Sequence, residues 1–86
     1  MKTVAVFGST GSIGVQTLNV LRRFPDEYKV VALSAEKNVG LLARQAAEFS
    51  PRYIASGVKA DIEGVTAFTG ADAAVRLARE AEADIC

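Results

Sequence analysis

Short apolar runs alternate with longer amphipathic segments along the chain. Residues 2–7 form the first run, which is almost wholly apolar, as is typical of a strand buried in a parallel sheet. Residues 30–33, 53–56 and 65–68 predict three further strands, and Ser34-Ala35 lies at the end of the second. The pattern therefore predicts four short strands separated by longer segments.

The longer segments carry apolar residues at helical spacing and predict three helices. The first runs from Ser12 toward Pro25, the second is capped by Asn38 and closed by Ser50-Pro51, and the third is capped by Asp72. The apolar residues expected on the buried faces are Ile13, Leu18, Leu21 and Phe24 in the first helix, Leu42, Ala46 and Phe49 in the second, and Val75, Ala78 and Ala81 in the third.

Strands that alternate with helices indicate right-handed βαβ units. We predict a Rossmann-like α/β fold, a mostly parallel sheet with flanking helices and the spatial strand order four, three, two, one. A doubly wound sheet places its next strand on the other side of strand one, and Ile85-Cys86 resembles the first step of that strand. Residues 57–64 are polar and poorly patterned, so we expect a loop there.

Charge and composition narrow the classes of partner. Ten Lys and Arg balance ten Asp and Glu in 86 residues, which gives no electrostatic reason to expect nucleic acid or an anionic membrane. No apolar stretch approaches the ~18 residues of a membrane span, and the N-terminal run is too short for a signal peptide. The single cysteine, Cys86, cannot form an intrachain disulfide. We expect a cytoplasmic protein that binds neither nucleic acid nor a membrane.

Side chains for catalysis are scarce. The chain has no histidine, and its carboxylates are scattered without a second ligand at metal spacing. No nucleophile stands beside a base in a recognisable pattern. We therefore assign no catalytic residue and no metal ligand in this chain, and expect any chemistry to come from a cofactor or from residues outside it.

The stretch GSTGSIG at residues 8–14 joins the first strand to the first helix. Gly8 would make the sharp turn, Gly11 would let the backbone approach a ligand, and Gly14 would let the helix lie close on the sheet. Free N–H groups and the positive end of the helix dipole suit a phosphate there, and the hydroxyls of the loop, those of Ser9, Thr10 and Ser12, add donors. We predict a pyrophosphate site.

The spacing of the three glycines is G-x-x-G-x-x-G, which differs from the common dinucleotide fingerprint G-x-G-x-x-G. The preceding strand and following helix supply the context that such a loop needs. A P-loop is excluded because no Gly-Lys-Ser/Thr follows. A glycine-rich turn without a ligand remains the alternative.

The end of the second strand governs the choice between NAD and NADP. Many NAD sites place an acidic residue there, about twenty residues after the glycines, to hold the ribose 2′-hydroxyl. Ser34 occupies that position and is uncharged, and Lys37 follows it closely. A cation and small hydroxyls favour a 2′-phosphate, although the Glu36 carboxylate would repel one unless it points away. The pattern favours NADP over NAD, and an exposed loop lysine is the alternative reading of Lys37.

Three segments together resemble a particular family. GSTGSIG at 8–14, the run VVAL…KNV at 30–39 and EFSPRY at 48–53 make the chain similar to the N-terminal part of 1-deoxy-D-xylulose 5-phosphate reductoisomerases. The resemblance extends over nearly all of the chain, and residues 57–70 are its least diagnostic part. Its rivals are another NADP enzyme, such as a semialdehyde dehydrogenase or short-chain reductase, and a non-catalytic nucleotide-binding module or scaffold.

The resemblance implies a function and a set of cofactor contacts. The family isomerises and reduces 1-deoxy-D-xylulose 5-phosphate to 2-C-methyl-D-erythritol 4-phosphate in non-mevalonate isoprenoid biosynthesis, with NADPH and a divalent cation (magnesium, manganese or cobalt). The family usually has a small residue, often glycine, at the position of Glu36. The implied contacts are Thr10, Gly11, Ser12 and Ile13 at the pyrophosphate and Glu36, Lys37 and Asn38 at the adenosine ribose and 2′-phosphate.

The resemblance also implies that residues 1–86 are a partial N-terminal NADPH-binding domain, truncated after about four strands. The family's metal, substrate-phosphate and lid residues lie beyond residue 86, so we expect this chain alone to be inactive. We expect it to bind NADPH weakly or not at all, because the nicotinamide half of the site would come from strands outside it. We expect it to self-associate through an open edge of strand one. The family implies a homodimer for the complete enzyme, which acts on a phosphorylated sugar.

Overall fold

The computed structural model describes residues 1–58, 64–70, 72–81 and 83–85. Most of the loop expected at 57–64 and the terminal Cys86 lie outside these ranges. Within them the chain forms four strands and three helices. The elements are β1 (Lys2–Val6), α1 (Ser12–Arg22), β2 (Tyr28–Ala35), α2 (Val39–Phe49), β3 (Tyr53–Ser56), β4 (Thr66–Thr69) and α3 (Ala73–Ala81).

The four strands form one parallel sheet in the order β1-β2-β3-β4. This is the predicted spatial order, and it confirms the Rossmann-like α/β fold. The register pairs Val4 with Val30 and shifts by one residue before Ala5, which pairs with Ala32. All carboxyl ends of the strands therefore meet at one edge of the sheet, where the loops that follow them can act together.

Ile85 lies on the other side of β1 and forms an isolated parallel bridge with Val4. The Ala5 N–H donates to the Ile85 carbonyl at 2.8 Å, and the Ile85 N–H donates to the Thr3 carbonyl at 3.0 Å. The Asp84 carboxylate accepts hydrogen bonds from the Thr3 N–H and from the Thr3 hydroxyl. These two bonds, the one from the N–H first, lower the pKa of Asp84. The chain thus begins the predicted next strand, and the β1 edge expected to be open is paired over residues 3–5.

Two apolar clusters lie on opposite faces of the sheet. The first joins β1 and β2 to α1 and α2 through large side chains, among them Leu18, Leu33 and Leu42. The second joins the sheet to α3 mainly through alanines, with Leu77 as its largest buried side chain. Because strand side chains alternate between faces, each buried strand supplies both clusters.

The ends of α2 follow the predicted signals. The Asn38 side-chain oxygen accepts from the Leu41 N–H at 3.2 Å, as an N-cap residue does. Ser50 adopts a left-handed conformation, with φ 50°, and its N–H donates to the Ala46 carbonyl. Leu42 and Ala46 are buried and Phe49 is half-buried, so the predicted face of this helix is confirmed.

The predicted buried faces of the other two helices are partly wrong. Of the residues predicted for the first helix, Leu18 is buried and Leu21 is half-buried. Ile13 is 79% exposed, and Phe24, which lies two residues beyond the end of α1, is also exposed. In α3, Val75 is 56% exposed and Ala78 is exposed. Ala73, Leu77 and the half-buried Ala81 pack on the sheet instead, since this stripe with a spacing of four residues places Leu77, the bulkiest apolar residue of the helix, inward.

Gly14 determines how closely α1 approaches the preceding loop. A Cβ added at Gly14 would lie 2.1 Å from the Gly8 carbonyl oxygen and 2.7 Å from the Ser9 Cα. The close contact is thus with the backbone of the loop, whereas the sequence predicted close packing on the sheet. The backbone atoms of Gly8 and Ser9 cannot rotate out of the way as a flexible side chain could. Any side chain at position 14 must therefore displace the loop or the helix.

Gly14→Ala tests this contact, with Gly40→Ala as the matched control. Gly40 is an exposed glycine of α2 whose added Cβ would have no neighbour closer than 4.0 Å. We expect Gly14→Ala to lower the free energy of unfolding by about 3 kcal/mol because of overpacking. Gly40→Ala should raise it by about 0.5–1 kcal/mol through helix propensity. Urea denaturation measures both, and equal effects of the two substitutions would contradict the contact.

Candidate functional site

The loops that follow the four strands surround a cavity at the carboxyl edge of the sheet. Its volume is about 350 Å³. The residues that line it come from the ends of all four strands and the start of α3, and include Phe7, Gly8, Ser34, Glu36, Gly57 and Gly70. A crevice outside the carboxyl ends of parallel strands is where folds of this class bind their ligands.

Gly8 turns the chain out of β1. Its φ of 69° lies in the left-handed region, which a glycine adopts without steric cost. Its N–H donates to the Ser34 hydroxyl at 3.1 Å, and its carbonyl accepts from the Gly11 N–H at 3.1 Å. The turn predicted for Gly8 is confirmed, and the end of β2 holds it in place.

Ser9 points into the protein. It is fully buried, and its hydroxyl donates to Gln45 Oε1 at 2.7 Å while its carbonyl accepts from Gln45 Nε2 at 2.8 Å. The prediction that the Ser9 hydroxyl is a phosphate donor is therefore wrong, because α2 occupies that hydroxyl. Gln45 was missed, although a glutamine beside Leu42 and Ala46 on an apolar helix face is a signal for a buried polar contact.

The N-terminus of α1 is open. Gly11 is the N-cap residue with extended backbone, no side chain caps the helix, and its first turn contains no acidic residue. Ser12 and Ile13 are exposed, and Thr10 is half-buried. The first N–H groups of a helix have no intrahelical acceptor, and the positive dipole end adds to their attraction for an anion. An uncapped helix N-terminus of this kind is the geometry that a phosphate or pyrophosphate group requires.

A second, larger cavity lies beside the N-terminus of α1, on the outer side of β1. Its volume is about 730 Å³, and its walls include Gly11, Ser12, Ile13 and Ile85. The exposed side chain of Ile13 belongs to this wall. A ligand whose phosphates contacted the helix N-terminus could therefore extend toward either cavity.

The turn after β2 carries the other three predicted contact residues. The Glu36 carbonyl accepts from the Gly57 N–H at 2.9 Å, and a Cβ on Gly57 would lie 2.8 Å from that oxygen. Glu36 lines the first cavity together with Gly8, whereas Lys37 and Asn38 lie outside its lining. Both are exposed, and the Asn38 side-chain oxygen is engaged in capping α2.

The structure thus brings the two predicted groups of contacts to one edge of the sheet. Thr10, Gly11, Ser12 and Ile13 follow β1, while Glu36, Lys37 and Asn38 follow its neighbour β2. In the ranges that the structure describes, no three His, Cys, Asp or Glu side chains are grouped to hold a metal ion. None of the helices within those ranges is long and apolar enough to cross a membrane.

Comparison with known proteins gives one consistent result. The family model for 1-deoxy-D-xylulose 5-phosphate reductoisomerase matches residues 4–86. The reductoisomerase of Thermodesulfovibrio yellowstonii is 38% identical over 92 residues, covering 99% of this chain and 24% of that protein. The enzyme of Trichlorobacter lovleyi is 52% identical over 62 residues, covering 72% of this chain and 16% of that protein.

Solved structures of this enzyme share the fold. A DOX-P reductoisomerase in complex with NADPH, fosmidomycin and magnesium superposes with a TM-score of 0.84 at 25% identity, over 99% of this chain and 24% of that one. The Zymomonas mobilis enzyme in complex with NADPH superposes with a TM-score of 0.82 at 36% identity, over 92% of this chain and 23% of that one.

The chain spans about a quarter of the length of these relatives. The family model nevertheless covers the chain from residue 4 onward, including the glycine loop, the turn after β2 and α3. The fold and the sequence thus agree, and the chain belongs to the 1-deoxy-D-xylulose 5-phosphate reductoisomerase family.

Proposed function

We propose that residues 1–86 are the N-terminal NADPH-binding portion of an enzyme that isomerises and reduces 1-deoxy-D-xylulose 5-phosphate to 2-C-methyl-D-erythritol 4-phosphate. The observation that carries this proposal is the uncapped N-terminus of α1, reached through the left-handed turn at Gly8. Relatives of the same fold have been solved with NADPH. The reaction would belong to non-mevalonate isoprenoid biosynthesis.

The pyrophosphate of NADPH would lie against Thr10, Gly11, Ser12 and Ile13. Gly11 carries no side chain, so a ligand could approach the backbone closely there. The N–H groups of Ser12 and Ile13, at the uncapped start of α1, would donate to the phosphates. The hydroxyls of Thr10 and Ser12 would supply further donors in place of the buried Ser9.

The adenosine ribose and its 2′-phosphate would lie at Glu36, Lys37 and Asn38. The ammonium group of Lys37 would pair with the phosphate, since Lys37 is exposed in the turn that follows β2. The Glu36 carbonyl accepts from the Gly57 N–H, and Glu36 is an exposed residue in the lining of the first cavity, where its carboxylate can face a ligand. A carboxylate near a phosphate is repulsive, and Glu36 would weaken the site for NADPH.

The remaining functions would be carried by parts of the enzyme outside this chain. These are the catalytic residues, the ligands of a divalent cation (magnesium, manganese or cobalt) and the contacts to the phosphorylated sugar. We propose a cytoplasmic homodimer for the complete enzyme. The 86-residue chain would be inactive alone and would self-associate, even though Ile85 pairs with residues 3–5 of the β1 edge that was expected to be open.

Titration with NADPH and NADH tests the cofactor and the role of Lys37. The chain should bind NADPH more tightly than NADH, and Lys37→Ala should weaken NADPH binding by about five- to tenfold while leaving NADH unchanged, because one charge-assisted contact is lost. Lys29→Ala is the matched control, since Lys29 is an exposed lysine near the amino end of β2, away from the turn that carries Lys37. Equal affinity for the two nucleotides would contradict the preference for NADPH, and binding of neither would favour the alternative of a scaffold without a ligand.

Glu36→Gln tests the opposing charge. Removal of the carboxylate should tighten NADPH binding by about two- to fivefold at low ionic strength, and the gain should shrink as salt screens the repulsion. NADH lacks the 2′-phosphate, so its affinity should not increase. The affinities for NADPH and NADH can both be measured by the change in nucleotide fluorescence on binding. A gain for both nucleotides alike would show that Glu36 does not face the 2′-phosphate.

A further inference from the structure

Two buried polar side chains lie between the glycine loop and α2. Ser9 is 0% exposed and Gln45 is 6% exposed. They form a reciprocal pair, in which the Ser9 hydroxyl donates to the Gln45 amide oxygen at 2.7 Å and the Gln45 amide nitrogen donates to the Ser9 carbonyl at 2.8 Å. Both ends of the Gln45 amide are therefore committed to one residue of the loop.

The same loop residue is held by β2. The Ser9 N–H donates to the Ser34 carbonyl at 2.8 Å, and the Ser34 hydroxyl accepts from the neighbouring Gly8 N–H at 3.1 Å. Four hydrogen bonds thus fix Gly8 and Ser9 from two other elements, just before the backbone reaches the N-terminus of α1. Positions that are held by bonds on several sides have little freedom to relax.

Packing alone does not explain a glutamine at position 45. Its helix neighbours Leu42 and Ala46 belong to an apolar cluster, and an aliphatic side chain there would be buried without desolvating an amide. A buried amide is tolerated when its donor and acceptor are both bonded, as they are here. The feature that Gln45 adds over an aliphatic residue is directional contact with Ser9.

We propose that Gln45 is a positioning residue for cofactor binding, which sets the backbone of the glycine loop for the pyrophosphate without touching the ligand. It also joins two parts of the site, because α2 begins at the Asn38 cap beside Lys37, while Gln45 on the same helix holds Ser9. The inference rests on the proposed NADPH site. It adds that the loop is preorganised by α2, so that less ordering is left to be done on binding.

Gln45→Leu removes both bonds at nearly constant size, and Leu77→Ala is the control. Leu77 is fully buried in α3 on the opposite face of the sheet, so its truncation destabilises the fold without contacting the loop. Binding of NADPH is followed by ¹⁵N–¹H spectra of the 86-residue chain, in conditions where each variant is folded. Amide hydrogen exchange of Ser9 and Gly11 is recorded without ligand, relative to Ile54 in β3.

We expect Gln45→Leu to weaken NADPH binding by roughly fivefold or more and to speed exchange at Ser9 and Gly11 more than at Ile54. Leu77→Ala should leave the affinity of the folded chain unchanged and speed exchange at all three amides together. Ser9→Ala removes the hydroxyl that donates to Gln45 but keeps the backbone carbonyl that accepts from the Gln45 amide nitrogen. It should therefore give an intermediate loss of affinity.

Two outcomes would overturn the positioning role. One is wild-type affinity in Gln45→Leu, and the other is an exchange change at Ser9 and Gly11 no larger than at Ile54. Failure of the wild-type chain to bind NADPH would count against the proposed function instead. In that case the exchange measurement still decides whether Gln45 orders the loop.

Discussion

The contact of Gly14 with the backbone of Gly8 and Ser9 is the constraint on which the site depends. At this contact a helix meets the loop that precedes it with no side chain between them. The helix can begin immediately after the loop only because position 14 lacks a Cβ. Its first N–H groups are thereby left at the carboxyl edge of the sheet, beside the end of β2. This geometry supports the proposed anion site built from backbone N–H groups.

The buried polar contacts explain why the loop adopts one conformation. A glycine-rich segment loses more conformational entropy on folding than any other, so it needs compensating contacts. Ser34 supplies them from β2, and Gln45 supplies them from α2. The site is thus supported by both elements of the second βα unit, and the same unit carries the turn at Lys37 and Asn38. The hydrogen bonds from Ser34 and Gln45 that fix the fold of the loop are therefore also the ones on which the proposed function depends.

Much of the fold could be predicted from the sequence, because its signals are local. β-Branched apolar runs predicted the strands, and Asn38, Ser50 and Pro51 predicted the ends of α2. The order of the sheet followed from the handedness of βαβ units. The face of α3 was predicted wrongly because its alanines fit several stripes, and the choice among them depends on where Leu77 meets the sheet. Ser9 was misassigned for a similar reason, since its partner Gln45 is distant in sequence. The contacts to NADPH stay predictions.

The most direct test of the central claim is a ¹⁵N–¹H titration of the wild-type chain with NADPH, read at the backbone amides of Ser12 and Ile13. If α1 holds the pyrophosphate through its free N–H groups, these two amides should show the largest shifts, and they should move downfield as hydrogen bonds form. Saturable binding that leaves both amides unmoved would contradict the account, wherever else on the protein the shifts appeared.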